Sequence, residues 1–204
     1  MTISDPLLTL RAARLSQGSS PLDLVVRAGE RVAILGPESV GKSRLLRVMA
    51  GLIEPASGSV IRPDVGGVGV LFRVPELRFL CATPREEVGL APAARGLHGA
   101  GLNEHVEAAL RRARLDAGCW DRGWHLFSSA EKYRLGVAIL YALRPRLVLI
   151  DEPGNPLSDT GEKALAEDLR EFCHAHGVAS VVFTSREGRA GLFGERVVRM
   201  DGKV

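Results

Sequence analysis

RVAILGPESVGKSRLLRVMAGL, Arg31–Leu52, decides how the rest of this chain is read. VAIL is a short, continuous apolar run, as expected of a buried parallel strand. From Lys42 onward the apolar residues recur at helical spacing. Between them GPESVGKS, Gly36–Ser43, fits G-x-x-x-x-G-K-[ST], and a strand before and a helix after are the context that gives this pattern its meaning. The chemistry needs these residue types. Glycines let the backbone approach a phosphate closely, and the N–H groups of a tight loop wrap it. The dipole of the following helix adds attraction. Gly36, Pro37, Glu38, Ser39, Val40, Gly41, Lys42, Ser43 and Arg44 are therefore the candidate phosphate cradle. In it Lys42 reaches the β- and γ-phosphates and the Ser43 hydroxyl ligates Mg²⁺.

RLVLIDEP, Arg146–Pro153, supplies the second half. An acidic residue ending a buried strand is where a carboxylate for the same Mg²⁺ belongs, which points to Asp151. Glu152, next in line, is the candidate general base on an attacking water.

The 204 residues suit one domain with a small subdomain. The formal charge of +3 is too small to argue for a nucleic-acid partner, and none is expected. The cysteines Cys81, Cys119 and Cys173 form no CxxC pair, so neither a disulfide framework nor a zinc site is expected, and a reducing cytoplasm fits. The N-terminus carries no signal-like pattern. No apolar run approaches the roughly 18 residues that cross a bilayer. LLTLRAARL reads as an edge strand and PLDLVVRAG as a second strand. VGGVGVLF, RLVLID and SVVFTS read as further strands, and RVVRMDGKV as a closing hairpin. Leu102–Leu115 and Lys132–Leu143 read as helices. The alternation implies a three-layer α/β sheet with a helical insertion.

With these motifs in place, the chain resembles the nucleotide-binding subunit of an ABC transporter over essentially its whole length. AGERVAILGPESVGKSRLLRVMAGLIEPASGSV is similar to that family's first core strand, Walker A loop and helix. FSSAEKYRLGVAILYALRPRLVLIDEP is similar to its signature, helix and Walker B strand. PELRFLCATPREEV looks most like the ATPases of cobalt-type and energy-coupling-factor transporters. The resemblance implies a P-loop NTPase with a RecA-like core at about 1–75 and 140–204. It also implies an N-terminal antiparallel β subdomain and a helical subdomain at about 76–139. ATP and Mg²⁺ are the implied cofactors. An integral membrane transporter subunit and a second ATP-binding subunit, identical or not, are the implied partners. The implied location is the cytoplasmic face of the membrane, as a peripheral subunit.

Several positions depart from the family pattern. Arg73 stands for the Q-loop Gln, and Arg cannot accept a hydrogen bond or bind a cation. Phe127-Ser128-Ser129-Ala130-Glu131 stands for LSGGQ, Ser158 for the D-loop Asp and Ser185 for the switch His. Leu15-Ser16-Gln17-Gly18 lacks the aromatic that stacks on adenine. In that family each ATP site is shared between two subunits, so Ser128 would face a partner's nucleotide. Glu131 either turns back into a capping box on Ser128 or repels phosphate, by roughly 3 kcal/mol at ~5 Å and an effective dielectric of 20. The expectation is ATP binding with slow hydrolysis. The alternatives are a regulatory or scaffold subunit and, less favoured, a soluble P-loop kinase in which Arg111, Arg112 and Arg114 form a lid rather than a solvated face.

Overall fold

The computed structural model describes residues 6–64 and 67–200. The chain divides into two compact units. One holds the residues up to Val70, Pro145–Pro153 and those from Leu169 on; the other holds Leu71–Arg144 and Gly154–Asp168.

The first unit contains two sheets. Strands β1 (Pro6–Arg14), β2 (Leu22–Arg27) and β4 (Ser57–Ile61) form an antiparallel sheet in the order β2-β1-β4. β1 is thus the central strand and not the edge strand its sequence suggested. Its second neighbour, SGSVI, is polar and largely exposed, so it carries no hydrophobic signal by which sequence could announce it. β3 (Arg31–Leu35) and β7 (Ala179–Thr184) are buried at every residue. With β5 (Val68–Leu71), β6 (Leu147–Asp151) and β8 (Arg196–Arg199) they complete a second sheet in the order β5-β6-β7-β3-β8. The β3–β7, β6–β7 and β3–β8 pairings are parallel, which explains the uninterrupted Val, Ile and Leu runs. β8, the first half of the expected closing hairpin, adds to β3 as a parallel edge strand. The other half, 201–204, lies outside the described residues, as do positions 65 and 66 of the expected strand VGGVGVLF.

Helix α1 (Lys42–Met49) follows β3 and buries Leu45, Leu46, Val48 and Met49. α6 (Glu187–Phe193) follows β7 and packs Ala190 against Ala33 and Leu35 of β3.

The second unit is helical. Thr83 and Glu86 form a capping box that starts α2 (Pro84–Ala94), with Pro84 at a position where its missing N–H costs nothing. α3 (Gly99–Arg112) and α4 (Ser129–Leu143) pack beside it around Val88, Leu110 and Tyr133. α5 (Asp159–His176) begins here and ends in the first unit. Arg85 fastens α2 to Glu107 of α3 at 3.1 Å and to Asp121 at 2.9 Å. Arg111 and Arg114, at and just beyond the end of α3, are more than half exposed, as expected of a solvated face, and the three arginines there are also paired. Arg111 pairs with Glu107, Arg112 donates to the carbonyl of Asp168, and Arg114 holds the Asp168 carboxylate with two hydrogen bonds. Trp120 donates to the Leu115 carbonyl and Trp124 to the Cys81 carbonyl, so both indoles pack this unit. Among the described residues no helix is long and apolar enough to cross a membrane.

Candidate functional site

The candidate cradle lies in the first unit, where β3 ends and α1 begins. Gly36 is a steric requirement: a Cβ there would sit 2.8 Å from the Met200 carbonyl oxygen and 2.9 Å from Val40. Gly41 caps α1 with φ 90°, a left-handed conformation that only glycine adopts without strain. No side chain caps α1 and its first turn holds no acidic residue. A helix start with neither a side-chain cap nor an acidic first turn is one whose dipole favours an incoming anion.

Lys42 is 3% exposed, and its ammonium donates to the carbonyls of Gly36 and Pro37 at 2.7 and 2.8 Å. This folds the lysine along its own loop, with the charge held where phosphate oxygens would come. The Ser43 hydroxyl donates to Asp151 Oδ2 at 3.4 Å. Two hard oxygen donors at this separation suit Mg²⁺, which takes one or two protein oxygens and completes its shell with water and phosphate. Glu38 and Ser39 stand exposed on the loop while Val40 is buried beneath it. Arg44 is exposed, and its Nε donates to the carbonyl of Leu15 in the turn after β1. That turn has no aromatic; the Ser19 hydroxyl closes it by accepting from the N–H groups of Leu15 and Ser16.

Glu152 is buried, at 3% exposure, and takes a left-handed φ of 49°. For a non-glycine residue this costs about 1–2 kcal/mol and persists only where surrounding contacts enforce it. The contacts are present. Its N–H donates to the Phe183 carbonyl at 2.8 Å. Its Oε1 accepts from the Ser185 N–H at 2.8 Å, and its Oε2 from the Thr184 hydroxyl at 3.1 Å. Lys42 stands 3.9 Å from Oε1, and Arg189 of α6 stands 3.6 Å from Oε2. The carboxylate expected to face water is thus turned into the protein. Sequence reading overlooked Arg189 and Thr184. Arg189 stands on α6, which begins at Glu187 after an extended Arg186, and no pattern in the sequence marks it.

Ser128 lies in the second unit, as the N-cap of α4. Glu131 folds back on it. Its Oε2 accepts from the Ser128 N–H at 2.8 Å and from the Ser128 hydroxyl at 2.7 Å, while the Glu131 N–H donates to Ser128 Oγ at 3.3 Å. The hydrogen bond from the Ser128 hydroxyl, then that from its N–H, holds the Glu131 carboxyl below its ordinary range. Of the two directions expected for Glu131, capping is the one it takes. The Ser128 hydroxyl proton is accordingly directed at Glu131 and not at solvent.

The ABC transporter family model matches residues 19–155, the span from the β1–β2 turn through both phosphate-site motifs. The chain belongs to the ABC transporter family. An ABC transporter ATP-binding protein of Streptomyces coelicolor is 33% identical over 165 residues, covering 74% of this chain and 62% of that one. The energy-coupling factor transporter ATP-binding protein EcfA of Methanothermobacter thermautotrophicus is 29% identical over 189 residues, covering 86% and 60%. The chain thus spans about three-fifths of the length of these relatives. In fold it is similar to CbiO1 of Clostridium perfringens, part of the ABC transporter complex CbiONQ. The TM-score is 0.85 at 22% identity, over 98% of this chain and 86% of that one. The relation to energy-coupling-factor ATPases expected from PELRFLCATPREEV agrees with the EcfA match.

Proposed function

We propose that this chain is the ATP-binding subunit of an ABC-type transporter, binding MgATP at Gly36–Arg44 and hydrolysing it slowly. The observation that carries this reading is the uncapped, cationic start of α1 standing 3.4 Å from the acidic end of β6 through Ser43 and Asp151. Backbone N–H groups and Lys42 would bind the phosphates, and Ser43 and Asp151 would hold Mg²⁺. Bound Mg²⁺ would neutralise charge developing on the transferred phosphoryl group. Slow turnover is supported by the burial of Glu152 and by the substitutions at Arg73, Ser158 and Ser185.

The membrane partner has a candidate surface in the second unit. Leu77 and Leu80 are 78% and 84% exposed, yet the loop that presents them is firmly anchored. The Glu87 carboxylate accepts from the Leu80 and Cys81 N–H groups at 2.7 and 2.6 Å, and Trp124 packs edge-on against Phe79. Two exposed leucines on one anchored stretch are the surface assigned to that partner in this reading. A second ATP-binding subunit and a peripheral place on the cytoplasmic membrane face belong to the same reading.

A regulatory, nucleotide-binding subunit that hydrolyses nothing is favoured by one observation, the closure of the α4 start by its own capping box. Calorimetric titration with MgATP beside a steady-state ATPase assay separates the two. The transporter reading expects binding and a measurable turnover below about 1 s⁻¹, at the low end for enzymes. Binding without turnover selects the regulatory reading, and turnover of about 10 s⁻¹ or more would contradict both.

A further inference from the structure

Two cations reach Glu152, one nearest each carboxylate oxygen, and they are not equivalent. Lys42 is engaged more closely by the carbonyls of Gly36 and Pro37, at 2.7 and 2.8 Å, than by Glu152 at 3.9 Å. Any anion entering the loop competes for it directly. Arg189 sits on α6, is 7% exposed, and lies 3.6 Å from Glu152 Oε2. A guanidinium this deeply buried needs an anion beside it, because removing a charge from water costs several kcal/mol unless it is compensated. Glu152 supplies that anion, and the Thr184 hydroxyl holds the same oxygen. A general base must come within hydrogen-bond reach of the proton it removes. Glu152, enclosed at 3% exposure with a hydrogen-bond donor on each oxygen, does not present itself to a water.

We propose that Arg189 is a positioning residue that clamps Glu152 against β7 and α6, and that release from this clamp limits hydrolysis. The proposal rests on the transporter reading above. Phosphate draws Lys42 away from Glu152, but Arg189 remains, so nucleotide binding alone does not free the carboxylate. The chain thereby separates affinity from turnover: Lys42 and the loop set the first, and Arg189 sets the second.

The test uses the full chain in two measurements. In steady-state ATPase assays, Arg189→Met is expected to raise kcat about tenfold while leaving KM for MgATP unmoved, a difference of about 1.4 kcal/mol in barrier. Thr184→Val, which removes one donor from the same oxygen, is expected to give a smaller rise in the same direction. Should Arg189→Met not fold, Arg189→Lys takes its place, with a rise between those of Thr184→Val and none. In nucleotide-free protein, melting temperatures of Arg189→Met, Glu152→Gln and the double variant form a cycle. The double variant is expected to lose less than the sum of the two single losses, because both single changes remove the same Arg189–Glu152 contact. An unchanged or lower kcat in folded Arg189→Met, or an additive cycle, would overturn the clamp. Absence of MgATP binding in the wild-type protein would instead overturn the transporter reading, and the claim about hydrolysis with it, leaving the cycle to report on the Arg189–Glu152 pairing alone.

Discussion

The starts of α1 and α4 share one physical device and put it to different uses. Both present the positive end of a helix. At α1 a left-handed glycine serves as cap and offers no side chain, the first turn holds no acid, and a lysine occupies the first position. At α4 Ser128 and Glu131 satisfy each other, and a carboxylate lies over the helix end. The first start is open to an outside anion and the second is closed by an inside one. A helix dipole therefore does not make a phosphate site by itself. Whether side chains of its own already cap the start decides it, and two residues separate the two outcomes.

That contrast can be broken experimentally at either end. Lys42→Ala removes the cation of the open start and should weaken MgATP binding about 100-fold, the loss expected when contacts from a charged donor worth ~3 kcal/mol disappear. Calorimetry would show it, and an affinity within about threefold of wild type would mean that phosphate is held elsewhere. Gly36→Ala drives a Cβ against the Met200 carbonyl and Val40. It should destabilise the protein by about 2 kcal/mol through overpacking, and distort the loop enough to reduce binding as well. Glu131→Ala opens the closed start. It should cost about 1 kcal/mol, a fall of about 2–4 °C in Tm, with MgATP affinity at Lys42 unchanged.

The smallest effect is in pH. The Glu131 carboxyl is held below its ordinary value of 4.5 in the folded protein. Its contribution to stability is therefore fully present above that value and is lost as pH falls through the lowered one. The Tm difference between wild type and Glu131→Gln should be largest near neutrality and close in acid. A difference that grew in acid would contradict the capping geometry.

Much of the fold was legible because the buried strands announce themselves. VAIL, LVLI and SVVFT are apolar at consecutive positions, as strands covered on both faces must be. β4 was not legible, since SGSVI is exposed and is ordered by pairing with β1. The antiparallel neighbour on that side turned an expected edge strand into a central one. Of the candidate site, Ser43 and Asp151 were readable because motif spacing fixes which strand and loop must meet. Arg189 was not. Its partner lies 37 positions away in sequence, Glu152 to Arg189, and no periodic pattern marks a buried arginine on a seven-residue helix. Glu131 was half readable: spacing from Ser128 gave the capping box, but only coordinates show that the Ser128 hydroxyl points at it too.

The anchored loop above α2 has a consequence for assembly. Glu87 and Trp124 fix the backbone at Leu80 and Cys81 while leaving Leu77 and Leu80 in water. A partner that covers those leucines meets a stretch of backbone whose conformational entropy at Leu80 and Cys81 was already surrendered when this unit folded. Ordering a rotamer-rich side chain at an interface costs about 0.5–1.5 kcal/mol, and mobile loops add more. The backbone part of that expense falls on folding here, so under the proposed docking a partner would have mainly the leucine side chains to order, and its motion would be passed to α2 through the Glu87 hydrogen bonds.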